Sequence, residues 1–169
     1  MRGGRAKVAE VNNILGHLFI PGRMPGVNDL MDARMRQGRT GWNAYSALKR
    51  NWSADIVKLA RVQMFPVLGE SYFTYLFDEV NKKRDPSNVI GGGVKFIEDG
   101  LKRAGQVPHD GWRHVLGIRC FWRVNIARPG VHVFATSDDC MTFEEVVYEA
   151  DTPRVVKSTI AKQYKQEVG

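Results

Sequence analysis

The amino-acid sequence predicts an α+β protein, a single domain in which helices pack on a mixed β-sheet. Three observations predict it. Strand-like and helix-like runs alternate along the chain in the order β, α, α, β, α, β, β, the pattern of a sheet covered by helices. The length of 169 residues allows one substantial core and falls short of two domains of usual size. An apolar share of 43% with 25% charged residues is ordinary for a globular chain and sets aside disorder and coiled coil. The expected organisation is a basic arm over residues 1–13, a core domain over 14–136 and a C-terminal appendage over 137–169.

The elements follow in order. Residues 1–13 are polar, carry Arg2, Arg5 and Lys7, and contain no apolar stretch of the roughly 7 to 15 residues a secretory signal needs. His17 to Ile20 (HLFI) reads as a strand stopped by Pro21-Gly22. The next twenty residues are broken by Gly22, Gly26, Gly38 and Gly41 and charged by Arg23, Arg34, Arg36 and Arg39. They read either as a segment wrapping a phosphate backbone or as a solvated loop with one short helix at Asn28 to Arg36. From Trp42 the spacing becomes helical: Tyr45, Leu48, Trp52, Ile56 and Leu59 recur every three or four residues, and Pro66 and Gly69 end the region. Lys49, Arg50, Lys58 and Arg61 mark the opposite face.

Ser71 to Val80 (SYFTYLFDEV) is apolar on both faces, as a central strand should be, and Arg84-Asp85-Pro86 breaks it. A helix capped by Ser87 or Asn88 then carries Val94, Ile97, Leu101 and Ala104 inward and is closed by Gly105. Gly91, Gly92 and Gly93 leave its first turn open, since glycine costs up to about 1 kcal/mol per helical position. Two strand-like runs, Val115 to Ala127 and Val131 to Ala135, flank a turn at Arg128-Pro129-Gly130 and read as a hairpin. Beyond a polar break at Ser137 to Cys140, Phe143 to Tyr148 reads as a short strand or helix, and the tail from Thr152 carries Lys157, Lys162 and Lys165.

A net charge of +7 favours polyanionic partners, nucleic acid first and an anionic membrane surface second. No apolar run approaches the roughly 18 residues of a membrane span, so no membrane partner and a cytoplasmic location are expected. Cys120 and Cys140 lack the spacing of a metal or redox pair and read as free thiols. Gly91 to Lys95 does not complete a phosphate-loop pattern, and His109, His114 and Cys120 lack the paired spacing of a zinc site. Trp112, Phe121 and Trp122 read first as packing residues.

Against this basic background Asp85 follows the central strand and Asp110 lies in the loop before the next one. Magnesium takes oxygen ligands and is often held by one or two carboxylates, with water and substrate phosphate completing its shell. If those two strands are neighbours, Asp85 and Asp110 share one ion beside a scissile phosphate. The bland reading is that both are turn residues, Asp85 before proline and Asp110 before Gly111.

The runs RDPSN at 84–88, KFIEDGLKRAG at 95–105 and HDGW at 109–112, with FIPGRMPGVND at 19–29 upstream, resemble the RusA family of Holliday junction resolvases, particularly its phage-encoded branch. The resemblance spans about residues 18–135 and lies in the order and spacing of several short motifs. It implies a RusA-like fold, magnesium with manganese as a substitute, a branched-DNA substrate and a homodimer, because symmetric nicking of a four-way junction needs two related sites. Carried over position by position, Asp85 matches the first metal-binding aspartate, Asn88 the asparagine of that motif and Asp110 the later aspartate. Lys95 matches the catalytic helix lysine when one extra helical turn is allowed at the glycines, and Asp99 matches an acid that orients it. Ser87 stands where the second aspartate is expected, so one anionic ligand is replaced by a hydroxyl.

The reading is a magnesium-dependent endonuclease in which Asp85, Ser87 and Asp110 hold the metal and Lys95 stabilises charge at the phosphate. Arg34, Arg36, Arg39, Lys49, Arg50, Lys82, Lys83 and Arg84 are candidates for backbone contacts, which position DNA without reading sequence. The alternative is a non-catalytic binder of branched DNA that keeps the fold and the basic surface with a weakened metal site.

Overall fold

Alternation of the kind seen in the sequence puts the most apolar run at the centre of a sheet, and it does so here. A computed structural model of the chain describes residues 13–35, 44–108, 113–138 and 141–152. Its elements are β1 (Ile14–Pro21), α1 (Val27–Met35), α2 (Ala44–Val62), β2 (Ser71–Glu79), α3 (Pro86–Arg103), β3 (Val115–Val124), β4 (Gly130–Thr136) and α4 (Phe143–Asp151). The four strands form one sheet in the order β1-β4-β2-β3. β2 runs parallel to β3 and antiparallel to β4, and β1 runs antiparallel to β4, so the described residues form a mixed sheet in an α+β fold.

The expected hairpin is corrected by this order. β3 and β4 are consecutive in the chain yet do not pair, because β2 lies between them. The link from β3 to β4 crosses the end of β2, where Asn125 N–H donates to Glu79 O and Gly22 N–H to Pro129 O. Turn residues between two β-favouring runs mark a reversal; they do not state whether the two runs pair with each other or with a third strand.

Side chains alternate between two layers. Phe73, Tyr75 and Phe77 of β2 join Val131 and Val133 of β4 and Leu18 and Ile20 of β1 in the larger core, against Ile56 and Ala60 of α2 and Phe96, Ile97 and Leu101 of α3. Leu76 and Phe134 point to the other face, where Met141, Val146 and Ala150 cover them. The segment after Thr136 therefore begins as part of the domain, with α4 closing the second face. Thr142 starts α4 with a capping box, its hydroxyl accepting from Glu145 N–H while the Glu145 carboxylate accepts from Thr142 N–H.

The three glycines do not delay α3. The helix begins at Pro86, with Asp85 as its N-cap rather than Ser87 or Asn88, and proline suits a first-turn position whose N–H has no helical partner. The glycines are required by packing. A Cβ on Gly92 would lie 2.5 Å from Pro25 O, one on Gly93 2.7 Å from the Phe77 ring, and one on Gly100 2.6 Å from Ile56. Each absent side chain lets a neighbouring element approach the α3 backbone. Gly105, with φ of +76°, ends α3 while the Gln106 N–H donates to Leu101 O and the Gly105 N–H to Lys102 O, the paired bonds of a left-handed C-cap.

α2 ends in the same motif with a methionine in the glycine position. Met64 has φ of +52°, Phe65 N–H donates to Ala60 O, and Met64 N–H donates to Arg61 O. The left-handed conformation costs a non-glycine residue about 1–2 kcal/mol, partly offset in a glycine variant by the larger entropy of its unfolded chain. Met64→Gly is therefore expected to stabilise the protein by about 0.5–1 kcal/mol, read as a rise of about 1–4 °C in thermal midpoint. The neighbouring Gln63 covers part of the β1 edge: its amide accepts from Phe19 N–H at 2.8 Å and donates to Phe19 O at 2.6 Å. Among the described residues no helix is long and apolar enough to cross a membrane.

Candidate functional site

The parallel pair β2–β3 is joined through α3, and the crevice beyond the C-terminal ends of such strands is a common place for ligands. At this end the loop 80–85 leads from β2 into α3. Asp85 is exposed, with extended backbone and no side-chain cap hydrogen bond, and Ser87 is exposed in the first turn of α3. Asn88 is half-buried and accepts from Asn28 N–H at 2.9 Å, tying α3 to the start of α1. Lys82 and Lys83 are exposed.

Arg84 is placed differently from its lysine neighbours. Its side chain is only 10% exposed, and it donates from Nε and Nη2 to the two Glu79 carboxylate oxygens at 3.1 and 2.6 Å and from Nη1 to Met24 O at 2.7 Å. This guanidinium braces the turn before α1 against the end of β2. A two-point Arg–carboxylate pair is a directional contact, and one that is nearly buried is not spent on a passing phosphate.

The structure separates residues that the sequence brought together. α3 is continuous through its glycines, so Lys95 lies ten residues and about 15 Å along the axis from Asp85, beyond the reach of one lysine side chain to the same phosphate. The β2–β3 register pairs Ser71 with Val115 and Glu79 with Val124, so the end of β2 and the start of β3 lie at opposite ends of the sheet. Strand neighbourhood therefore does not by itself join the loop after β2 to the loop before β3. Asp110 lies outside the described residues, as do His109, Trp112, Arg36, Arg39 and Cys140.

Lys95 instead pairs with Asp99, a residue lining a groove of about 550 Å³ between α2 and α3. Asp99 stands at its centre. Its carboxylate meets Lys49 Nζ of α2 at 2.7 Å and Lys95 Nζ, one turn back on α3, at 3.1 Å. Burial alone would raise the Asp99 carboxyl, but the hydrogen bonds and charges of Lys49 and Lys95 prevail and hold it below the usual carboxylate range. Arg50, Lys102 and Arg103 complete the lining with Ser46 and Ser53. Four cations and one ionised acid line the groove, with Lys95 paired to that acid, so the lining carries net positive charge. Arg34 lies on exposed α1, its guanidinium 4.5 Å from the Tyr45 ring centroid.

A third polar cluster lies under α4. Asp78, opposite Arg123 in the β2–β3 register, has a wholly buried side chain. Its carboxylate accepts from Arg123 Nε at 2.7 Å, Arg123 Nη2 at 3.1 Å and Asn125 Nδ2 at 2.9 Å, with His132 Nε2 at 3.6 Å. Arg123 also forks onto Asp151 of α4 at 2.6 and 2.8 Å, and His132 Nδ1 lies 3.0 Å from His17 Nε2. Burial pushes the Asp78 carboxyl up, and the hydrogen bonds from His132, Arg123 and Asn125 outweigh it, leaving its pKa at about 2. This cluster locks α4 to the sheet.

Among the described residues no three His, Cys, Asp or Glu side chains converge in a group that could hold a metal ion. Asp85 and Ser87 provide one carboxylate and one hydroxyl near each other in the chain, oxygen donors of the type magnesium takes, with a single negative charge between them. Cys120 is a free thiol whose pKa burial and the nearby Glu98 raise to about 11, so it stays protonated at neutral pH.

Sequence reasoning missed Lys102 and Arg103, although helical spacing carried the signal: Lys95, Asp99, Lys102 and Arg103 follow at four, seven and eight residues and share a face. It also read Trp122 as a packing residue, whereas that side chain is 53% exposed on β3, an edge strand. Searches of family models and of curated proteins found no match to this chain.

Proposed function

We propose that this protein is a magnesium-dependent, structure-selective endonuclease that binds branched DNA, similar to the RusA resolvases, and works as a homodimer. The observation that carries the DNA-binding part is the α2–α3 groove, lined by Lys49, Arg50, Lys102 and Arg103 with Asp99, which Lys49 and Lys95 both bridge. A trough of cations on two packed helices suits a sugar–phosphate backbone, whose contacts position the nucleic acid without reading bases. Asp99 fixes the directions of two of those ammonium groups, which lowers the entropy lost when a phosphate arrives.

The cleavage part rests on the family resemblance and on exposed Asp85 at the start of α3. Asp85 and Ser87 would hold magnesium there, with Asp110 as the further carboxylate that the resemblance assigns. The ion, when bound, supplies polarisation of the phosphoryl oxygens and a lowered pKa for attacking water. Lys82 and Lys83, exposed in the preceding loop, draw the backbone to that end of the sheet. Lys95, at a distance from Asp85, acts as a positioning residue through its pair with Asp99 of the groove.

The test is cleavage of a labelled four-way junction and of linear duplex, with magnesium and with EDTA. Paired, metal-dependent nicks on the junction alone are expected. Asp85→Asn is expected to abolish nicking while leaving junction affinity within about twofold, as a ligand to a catalytic metal requires and a folding residue does not.

The second reading is the non-catalytic junction binder, favoured by one observation: with Ser87 in its first turn, α3 and its N-cap contribute one carboxylate at that end, Asp85. Tight junction binding without nicks in magnesium would establish it. Ser87→Asp would then be the variant expected to recover cleavage.

A further inference from the structure

A cavity of about 420 Å³ opens beside Asp85, in the crevice beyond the C-terminal ends of β2 and β3. Arg84 and Pro86, the residues on either side of Asp85, both line it. Its volume falls within the range of small-molecule sites, roughly 300–1,000 Å³. Apolar groups form most of the wall: Phe77 beneath, Val89 and Ile90 of α3 on one side, Trp122 and Val124 of β3 on the other. Trp122 is 53% and Val124 41% exposed, an unusual outlay of apolar surface for two residues on one edge strand.

The polar part of the lining is Glu79, Asn81, Lys82, Arg84 and Arg123. Lys82 is an exposed cation, and the Glu79–Arg84 pair lies nearly buried, at 15% and 10% exposure. The guest that suits these walls is planar and aromatic, carries groups able to hydrogen bond, and is joined to an anion. An indole face stacks on any base, because every base has a π-face. The Glu79 carboxylate offers acceptor capacity to a base amino group, and Lys82 offers a cation to the attached phosphate.

From this juxtaposition we propose that the cavity receives one unpaired nucleobase of branched DNA, stacked on Trp122, with its adjoining phosphate at Lys82. The proposal rests on the DNA reading above and adds to it: selectivity for branched over linear DNA arises here, because a fully paired duplex presents no base that can enter without being unstacked. The α2–α3 groove then supplies affinity for any backbone, and the Trp122 cavity supplies preference for a branch.

The test uses the full chain and four-way junctions carrying 5-iododeoxyuridine at one position next to the branch point or, as a control, in the middle of an arm. Irradiation is expected to crosslink the branch-point base to the peptide containing Trp122, and the arm base not at all. Trp122→Ala is expected to weaken junction binding roughly 5- to 150-fold, the range of one lost base–aromatic stack, while duplex affinity stays within about twofold. Trp122→Phe, which keeps a stacking face, is expected to retain most of the junction preference and serves as the folding control. Junction affinity of the unaltered chain with no crosslink at Trp122, or with no loss in Trp122→Ala, would overturn the proposal and leave the DNA reading standing. Absence of binding to junction, duplex and single strand alike would overturn both.

Discussion

Replacing Asp78 by alanine is expected to destabilise the fold by about 3 kcal/mol, the lower end of the cost of removing one partner of a buried ion pair, because Arg123 keeps Asp151. Asp78 is the anion at the centre of the cluster under α4, and its removal leaves Arg123 against the sheet with only Asp151, which lies at the surface. Asn125 and His132 lose the same acceptor. Chemical denaturation should show the loss as a lowered midpoint with an unchanged slope. The double variant Asp78→Leu with Arg123→Met should be more stable than Asp78→Ala, because it removes both members of the pair together. If the double variant were no better, the cost would lie in packing rather than in the guanidinium's lost partner.

The same carboxyl gives the stability its acid limit. Its folded pKa, about 2, lies below the ordinary 3.8, so the folded state binds its proton less readily than the unfolded chain does. The stabilisation is therefore complete above about pH 4 and is lost as pH falls through 4 towards 2, an amount of about 2 kcal/mol. In Asp78→Leu with Arg123→Met that part of the acid sensitivity should disappear. An unchanged acid limb in the double variant would assign the limb to other carboxyls.

Neutralising the end of the α2–α3 groove is expected to weaken binding to every form of DNA. Lys102→Gln with Arg103→Gln removes two exposed cations from the last turn of α3 and leaves the Lys49–Asp99–Lys95 bridge in place. Two lost phosphate contacts should reduce the slope of log affinity against log salt by about 2 and lower affinity roughly 10²-fold at low salt. The loss should be similar for junction and duplex, since backbone contacts carry no sequence or branch information. A Trp122 variant should do the reverse, changing the junction-to-duplex ratio with the salt slope intact. A double variant with an unaltered salt slope would move the DNA path off this groove. Loss of the favourable charges at the C-terminal end of α3 costs stability only about 0.3–1 kcal/mol each, so the protein remains folded for the measurement.

The amino-acid sequence by itself determined the kind and order of the elements and which of them is central. The run Ser71 to Glu79 is apolar at both parities, which only a strand covered on both faces tolerates, and β2 is indeed one of the two inner strands, with helices on each side. The stripe Leu48, Trp52, Ile56 and Leu59 defined α2, and Lys95 and Asp99, four apart, were bound to meet on one helix face. These are local consequences of the 2.0 and 3.6 periodicities, and they survive any packing of the pieces.

Only the tertiary structure decided how the pieces face each other. β3 and β4 are equally compatible with a hairpin or with separation by β2, since strand pairing is made by partners distant in the chain. The parallel course of β3 then sets the end of β2 and the start of β3 far apart, a fact no spacing between Asp85 and Asp110 expresses. The glycines at 91–93 look like a helix breaker in isolation and become a packing surface once Pro25 and Phe77 lie against them. Arg84 reads as one more surface cation until Glu79 and Met24 enclose it, and Trp122 reads as core until β3 proves to be the edge. In each case the burial of a residue depends on which element lies across from it. That choice is made by the sum of many nonlocal contacts, each worth little alone.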